Sequence, residues 1–214
     1  MAGALLPKKL LKFMINSRDM KKKVLVIVAH PDDETIWMGG ILLRNKNKWN
    51  TTIISLCRKN DKDRYIKFKK VCKILNAKSF MSNLEDEKLN KINIKEVIKR
   101  IKKYSDKKYD YIFTHGKNGE YKHPRHLDVN KAVIEMIKRN LILCKKNFFF
   151  SYLSKKNNYQ GYCIYNSNAN KLIKLNNLEF LNKKKLIQNI YGFEKGGFEE
   201  KSCGKIESFN EKII

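Results

Sequence analysis

A buried strand leads directly into an acidic turn near the start of the chain, and this junction constrains the fold more than any other feature. Residues 24–28 read VLVIV, a continuous apolar and mostly β-branched run, and residues 29–34 read AHPDDE. A strand that is apolar at every position is buried on both faces, which is typical of a parallel sheet covered by helices. The junction therefore predicts an α/β protein.

Strand and helix patterns alternate along the first 150 residues. The predicted strands are 24–28, 51–56, 109–115, 148–153 and 161–166, and the predicted helices are 35–47, 64–76, 92–104, 127–140 and 178–188. This order predicts right-handed crossovers and a three-layer α/β/α sandwich with a Rossmann-like, mostly parallel sheet. We expect a single domain over residues 23–214, preceded by an N-terminal extension over residues 1–22.

Lysine dominates the charge of the chain. There are 47 Lys and Arg against 21 Asp and Glu, which gives a formal net charge of +26. Such an excess often indicates binding to nucleic acid or to an anionic surface. Only seven of the 47 are Arg, the residue that nucleic-acid-binding proteins favour for bidentate contacts. The 40 Lys and 23 Asn are spread over the whole chain, as an AT-rich genome would encode them at tolerant surface positions. We therefore expect no nucleic-acid partner.

The cysteines and the hydropathy indicate a cellular compartment. The five cysteines are odd in number, widely spaced and never arranged as CxxC, so we expect free, buried, apolar thiols in a reducing cytoplasm. No apolar stretch approaches the roughly 20 residues of a membrane-spanning helix. The N-terminal LLPKKLLKFM permits at most a peripheral contact with a membrane surface. The sequence defines no oligomeric state.

Two polar segments hold all four histidines, and each follows a predicted strand. They are AHPDDE at 29–34 and THGKNGEYKHPRH at 114–126. Ligands of α/β sheets bind at the carboxyl ends of strands, so we expect both segments to face one crevice. Alone, each has an ordinary explanation, a solvated turn with an N-cap acid or a chance HxxH. Together they indicate a metal site, in which His115 is expected to be structural and Glu34 to orient its neighbours or start a helix.

The spacing within these segments suggests how a metal ion would be bound. His30 and Asp33 are three residues apart at a strand-to-helix turn, so both can reach one ion while Asp32 points elsewhere and is available as a base. Imidazole nitrogen and carboxylate oxygen are typical zinc ligands. His123 and His126 share one side of a nascent helix. If His126 is the third ligand, the site keeps an open position for water, as catalytic zinc sites do.

These motifs resemble those of the PIG-L / LmbE-like family of zinc-dependent N-acetylglucosamine deacetylases. The resemblance covers roughly residues 23–140 and rests on AHPDDE after the first strand, SLCR after the second and THGxxGEYxHPxH after a later one. It implies a bound zinc ion, with Fe²⁺ or another divalent ion as the alternative. The ligands implied by the resemblance are His30, Asp33 and His126.

The resemblance also implies a reaction. Asp32 would be the general base for a zinc-bound water that attacks the amide, His123 would stabilise the oxyanion or act as an acid, and Tyr121 would polarise the carbonyl. The implied substrate is a small N-acetylated amino sugar or glycoconjugate, which loses its acetyl group. The alternatives are another N-acyl amine or a thiol-conjugate amide on the same zinc site, or a basic nucleic-acid or anionic-surface binding protein without an active site.

The second segment departs from the family pattern at Arg125. Many members have HPDH, whose aspartate can orient the neighbouring histidine, and here either Asp128 takes over that role or no residue does. Arg125 and Arg58, which ends the second strand, would bind an anionic group of the substrate such as a phosphate. The alternative is a salt bridge between either arginine and an acid such as Asp61 or Glu120.

Overall fold

The computed structural model describes residues 21–155 and 161–213 and contains a seven-stranded central sheet. Its parallel strands are β1 (Lys22–Val28), β2 (Trp49–Cys57), β3 (Ala77–Leu84), β4 (Lys108–Thr114) and β5 (Leu143–Phe150). Two antiparallel strands, β8 (Lys171–Lys174) and β9 (Ile206–Ile213), complete the order β3-β2-β1-β4-β5-β9-β8. A separate ribbon pairs β6 (Tyr152–Ser154) with β7 (Cys163–Tyr165). Residues 1–20 of the predicted extension lie outside the described residues.

Helices cover both faces of the sheet, which confirms the predicted three-layer α/β/α architecture. They are α1 (Asp33–Asn45), α2 (Lys62–Ile74), α3 (Ile94–Tyr104), α4 (Gly119–Lys122), α5 (Pro124–Lys138), α6 (Asn177–Lys185) and α7 (Phe198–Ser202), and α6 continues as a π-helical turn over Leu186–Tyr191. Two apolar cores separate the layers. The alternating side chains of β1 enter both, Val24, Val26 and Val28 on the side of α1 and α2, and Leu25 and Ile27 on the side of α3 and α5.

The strand order reverses beside β1, and this reversal creates a crevice. The chain runs outward from β1 through β2 to β3 and then returns to place β4 on the other side of β1. The carboxyl ends of β1 and β4 are therefore neighbours, and the connections that leave them diverge. In open α/β sheets this is the point at which ligands bind.

The structure differs from the sequence-based expectations mainly in the last third. The single strand predicted at 148–153 is two strands that divide at Ser151, because β5 pairs with β9 whereas β6 pairs with β7. Strands β3, β8 and β9 were not predicted. Four of the five cysteines are buried in the cores as expected, and Cys144 is half-buried.

Within residues 21–155 and 161–213, no helix is both long and apolar enough to cross a membrane.

Candidate metal centre

The two histidine-bearing segments meet at the crevice between β1 and β4. AHPDDE leaves the carboxyl end of β1, and THGKNGEYKHPRH leaves the carboxyl end of β4. They form one side of a cavity of about 510 Å³, whose lining includes His30, Asp32, Asp33, Tyr121 and His123. The prediction that the segments face one crevice is confirmed.

Three acceptor atoms converge at one point of this crevice. His30 Nδ1 lies 3.2 Å from His126 Nε2 and 3.3 Å from Asp33 Oδ2, and His126 Nε2 lies 3.5 Å from Asp33 Oδ2. Ligands on a tetrahedral zinc ion, with bonds of about 2.1 Å, lie about 3.4 Å from one another. The three side chains therefore have the spacing that a shared ion requires.

Hydrogen bonds on the far side of each ring determine which nitrogen faces the centre. His126 Nδ1 lies 2.6 Å from Glu120 Oε2, and His30 Nε2 lies 3.0 Å from Asp86 Oδ1. Ionised carboxylates only accept hydrogen bonds, so we assign the ring protons of the neutral histidines to these two nitrogens. The lone pairs of His30 Nδ1 and His126 Nε2 then face each other beside the Asp33 carboxylate. Such a donor set fits a divalent cation, and carboxylates behind histidines are typical of metal ligands.

The surroundings of His30 favour a positive charge at this point. Burial lowers the pKa of His30, but the neighbouring carboxylates of Asp33 and Asp86 outweigh burial and raise the pKa to about 10. Burial likewise raises the pKa of Asp33, but His126 and His115 hold it well below its usual value. Asp33 is also oriented by neighbouring donors, since its Oδ2 accepts from the His30 backbone N–H at 2.8 Å and its Oδ1 from Trp37 Nε1 at 2.9 Å.

Glu120 orients two histidines, a role that the sequence analysis assigned to Asp128 or to no residue. Its Oε2 accepts from His126 Nδ1 at 2.6 Å and from His115 Nδ1 at 2.7 Å, and its Oε1 accepts from the Gly116 N–H at 2.7 Å. Burial raises the pKa of Glu120, but its interactions with His115 and His126 lower it to about 2. Glu120 adopts a φ of 57°, which is rare outside glycine. The sequence contained a signal for this role, because the acidic residue Glu120 lies between Gly119 and the HxxH segment.

His115 could join Asp33 and His126 in an alternative cluster, but its second nitrogen already has a partner. All three side chains are buried, and their donor atoms lie within 4.8 Å of one another. His115 Nε2, however, accepts from the Ala29 backbone N–H at 2.9 Å. This agrees with the expected structural role of His115 and favours His30 as the ligand.

Asp32 lies next to the three converging atoms and is held by Arg64 and Glu34. Its Oδ2 is 2.8 Å from Arg64 Nη1, and its backbone N–H donates to Glu34 Oε2 at 3.1 Å. Its φ of 135° is a conformation that L-residues rarely adopt. Burial and the neighbouring Asp33 raise the pKa of Asp32, although Arg64 opposes the shift. Arg64, which no sequence motif indicated, also lies over the Phe193 ring at 4.7 Å.

Tyr121 and His123 place two further donors at the cavity. The Arg125 backbone N–H donates to His123 Nδ1 at 3.2 Å, so the proton of the neutral ring is on Nε2. Burial and the charges of His126 and His30 lower the pKa of His123 to about 3, which favours the neutral ring. Burial raises the pKa of Tyr121, so its hydroxyl keeps its proton.

The two arginines predicted to bind substrate have different environments. Arg58 lines the cavity, its side chain is 44% exposed, and its Nε donates to Asp86 Oδ2 at 2.8 Å. Arg125 is fully buried and pairs with Asp128 and with Glu85, the latter at 3.0 Å. The prediction that Arg125 binds substrate is therefore wrong, because its side chain is completely buried and does not line the cavity. Asp61 and Glu120, suggested earlier as salt-bridge partners, are not the ones that it uses.

Arg125→Met is expected to lower the free energy of unfolding by about 2 kcal/mol, because it removes a buried ion-paired group. Arg58→Met, at a half-exposed position, is expected to change it by less than about 0.5 kcal/mol. Urea denaturation of the two variants measures this contrast. Equal stability of both variants would contradict a structural role for Arg125.

The sequence and the fold identify the class of protein. The chain belongs to the PIG-L family, since the family model described as GlcNAc-PI de-N-acetylase matches residues 25–137, more than half of the chain. None of the curated proteins matches the sequence.

Solved structures share the fold at low sequence identity. N,N'-diacetylchitobiose deacetylase from Pyrococcus horikoshii, in complex with its inhibitor MPG, has 17% identity and a TM-score of 0.62, with 96% of this chain and 90% of that chain covered. The conserved protein TT1542 from Thermus thermophilus has 14% identity and a TM-score of 0.61, with 88% and 93% covered. The hydratase GalB from Pseudomonas putida KT2440, which acts on 4-carboxy-2-hydroxymuconate, has 12% identity and a TM-score of 0.61, with 91% and 97% covered.

Proposed function

We propose that the protein is a metal-dependent hydrolase that removes the acetyl group from an N-acetylglucosamine-type sugar or glycoconjugate. One observation carries this proposal: His30 Nδ1, Asp33 Oδ2 and His126 Nε2 lie 3.2–3.5 Å from one another at an open cavity that Asp32 also lines. Membership of the PIG-L family and the fold shared with a diacetylchitobiose deacetylase support the choice of amide. Because a hydratase also has this fold, the fold alone does not determine the reaction.

His30, Asp33 and His126 would hold the ion, with zinc as the first choice for two imidazoles and a carboxylate. When bound, a divalent ion lowers the pKa of a water molecule and polarises the amide carbonyl. Glu120 and Asp86, behind the two rings, keep both histidines oriented for this role.

Asp32 has the position of the general base. It accepts the proton of the attacking water at its carboxylate and passes a proton to the amide nitrogen as the carbon–nitrogen bond breaks, so that acetate and a free amine leave. The hydrogen bonds from Arg64 and to Glu34 orient Asp32 for both transfers.

Tyr121 and His123 stabilise the carbonyl oxygen of the substrate. His123 donates from Nε2 and Tyr121 from its hydroxyl, and both hydrogen bonds strengthen as negative charge develops on that oxygen. A neutral His123 is sufficient for this role. Arg58, at the cavity wall, would bind an anionic group elsewhere on the substrate.

Acetate release tests the proposal. The purified protein is expected to contain a divalent ion, to release acetate from at least one substrate among N-acetylglucosamine, N,N'-diacetylchitobiose and N-acetylglucosaminyl phosphatidylinositol, and to lose this activity with a chelator. Added Zn²⁺ or Fe²⁺ should restore the rate. The metal-dependent hydrolase is excluded if no divalent ion copurifies and none produces activity. If the protein cleaves only other N-acyl amines or thiol-conjugate amides, and this cleavage requires the metal, the proposed site stands and the proposed substrate is wrong.

A further inference from the structure

Helix α1 is interrupted at Met38. The preceding residue, Trp37, donates its indole N–H to Asp33. Met38 has φ −148° and ψ 17°, which is not helical. In a continuous α-helix the Ile41 N–H would donate to the Trp37 carbonyl, and the Gly40 N–H to the Ile36 carbonyl. Here both N–H groups have an acceptor outside the helix.

Glu207, on β9, binds the two freed N–H groups. One carboxylate oxygen accepts from the Gly40 N–H at 2.7 Å and the other from the Ile41 N–H at 2.8 Å. Lys183 Nζ lies 2.8 Å from Glu207 Oε1, and both side chains are completely buried. A carboxylate is thereby fixed at the start of the second half of α1, where N–H groups and the helix dipole favour a negative charge.

Tyr152 holds the other side of the break. Its hydroxyl donates to the Trp37 carbonyl at 2.7 Å, and the same oxygen accepts from the Ser208 backbone N–H at 3.4 Å. Glu207 and Ser208 are neighbours in β9, so adjacent residues of this strand are linked to both sides of the break. The Ile41 N–H and the Trp37 carbonyl, which would pair in a regular helix, therefore both have side-chain partners outside α1.

The glycine pair of α1 allows the close approach that this arrangement requires. A Cβ on Gly40 would lie 2.3 Å from Leu175 Cδ1, and one on Gly39 would lie 3.3 Å from the Lys183 side chain. The Gly39-Gly40 pair thus makes room for the Leu175 and Lys183 side chains against α1.

We propose that Glu207, with Lys183 as its counter-charge, is a positioning residue for the metal centre. The carboxylate holds the break in α1 open, and the break fixes Trp37, whose indole N–H holds Asp33 Oδ1 at 2.9 Å and leaves Oδ2 facing His30 and His126. The part of this inference that concerns metal binding rests on the proposed function. Burying an ion pair costs free energy. The positioning role explains why the Lys183–Glu207 pair is buried despite this cost.

Glu207→Gln tests the inference, because glutamine keeps the shape but loses the charge and one acceptor. We expect the Kd of the metal-depleted protein for Zn²⁺ to rise about tenfold, the range in which changes behind a ligand act. In a Trp49→Phe background Trp37 is the single tryptophan. There the same change is expected to shift Trp37 emission even without metal.

Val97→Ala is the matched control. It removes buried volume in the core on the other face of the sheet and leaves α1 untouched. A second variant, Glu207→Gln with Lys183→Met, removes the unpaired lysine, so its thermal stability should recover in part while zinc affinity stays low. The inference is overturned if the Kd of the Glu207→Gln protein equals that of Val97→Ala or if Trp37 emission is unchanged. If the wild-type protein binds no Zn²⁺, the proposed function fails, and Trp37 emission still decides whether Glu207 positions the Trp37 segment.

Discussion

Asp32→Asn is expected to lower kcat for acetate release by about 10²- to 10⁴-fold, the usual contribution of a positioned general base. Asparagine has nearly the same shape but does not accept a proton at neutral pH. Asp32 is not one of the three converging acceptors, so the metal content should stay at the wild-type level. Asparagine also tolerates positive φ better than most residues, which suits the backbone at this position. Steady-state kinetics and elemental analysis of the same preparation measure both effects.

Asp61→Asn is the matched control for this variant. Asp61 lines the same cavity and precedes α2 as its N-cap, a position where asparagine is equally suitable. The Asp61→Asn variant also removes one negative charge from the wall of this cavity. We expect its kcat to lie within about twofold of the wild-type value, because surface changes away from the reacting groups usually have small effects. Unchanged kcat in Asp32→Asn would remove Asp32 as the base. Loss of the metal in that variant would mean that Asp32 is a ligand.

His30→Ala is expected to abolish both metal binding and hydrolysis. Its Nδ1 is one of three atoms 3.2–3.5 Å apart, and two remaining ligands should bind the ion at least about 100-fold more weakly, beyond the range of changes behind a ligand. Hydrolysis should fall to background because the remaining residues lack the ion's Lewis acidity. Zinc titration against a competing chelator, with acetate release on the same samples, measures the loss.

His115→Asn distinguishes the two possible clusters. The asparagine amide can still donate to Glu120 in place of His115 Nδ1, whereas an imidazole ligand would be gone. We expect this variant to be less stable but to bind one zinc ion with a Kd within about tenfold of the wild-type value, as for a residue behind the ligands. The opposite pattern, with zinc kept in His30→Ala and lost in His115→Asn, would assign the site to Asp33, His115 and His126.

Apart from β3, the first two thirds of the fold could be predicted because its signals are local. Strands β1, β2 and β4 and helices α1, α2, α3 and α5 have strong apolar periodicity, and their observed ends lie within a few residues of the predicted ones. Strands β8 and β9 lack such a signal. Lysines begin and end β8, and β9 contains Glu207, a buried acid whose partners, α1 and Lys183, come from distant parts of the chain.

Sequence motifs located the candidate site but not the residues that support it. His30, Asp33 and His126 were found because each follows a strand in a compact polar motif. Asp86 follows β3, which was not predicted as a strand, so its place at the same edge of the sheet was not apparent. Arg125 was misassigned because its sequence neighbours are site residues, whereas its own side chain is completely buried in ion pairs with Glu85 and Asp128.

The order of the strands also has a consequence for biosynthesis. His30 and Asp33 leave the ribosome early, His126 follows only after three more strands, and β9 is the last described strand to be made. Parallel pairing between such distant segments is slow, so a nascent chain exposes two of the proposed ligands long before the third can join them. A metal ion that binds only the completed site stabilises the folded state by mass action. Metal supply is therefore expected to govern how much of the newly made protein persists in the cell.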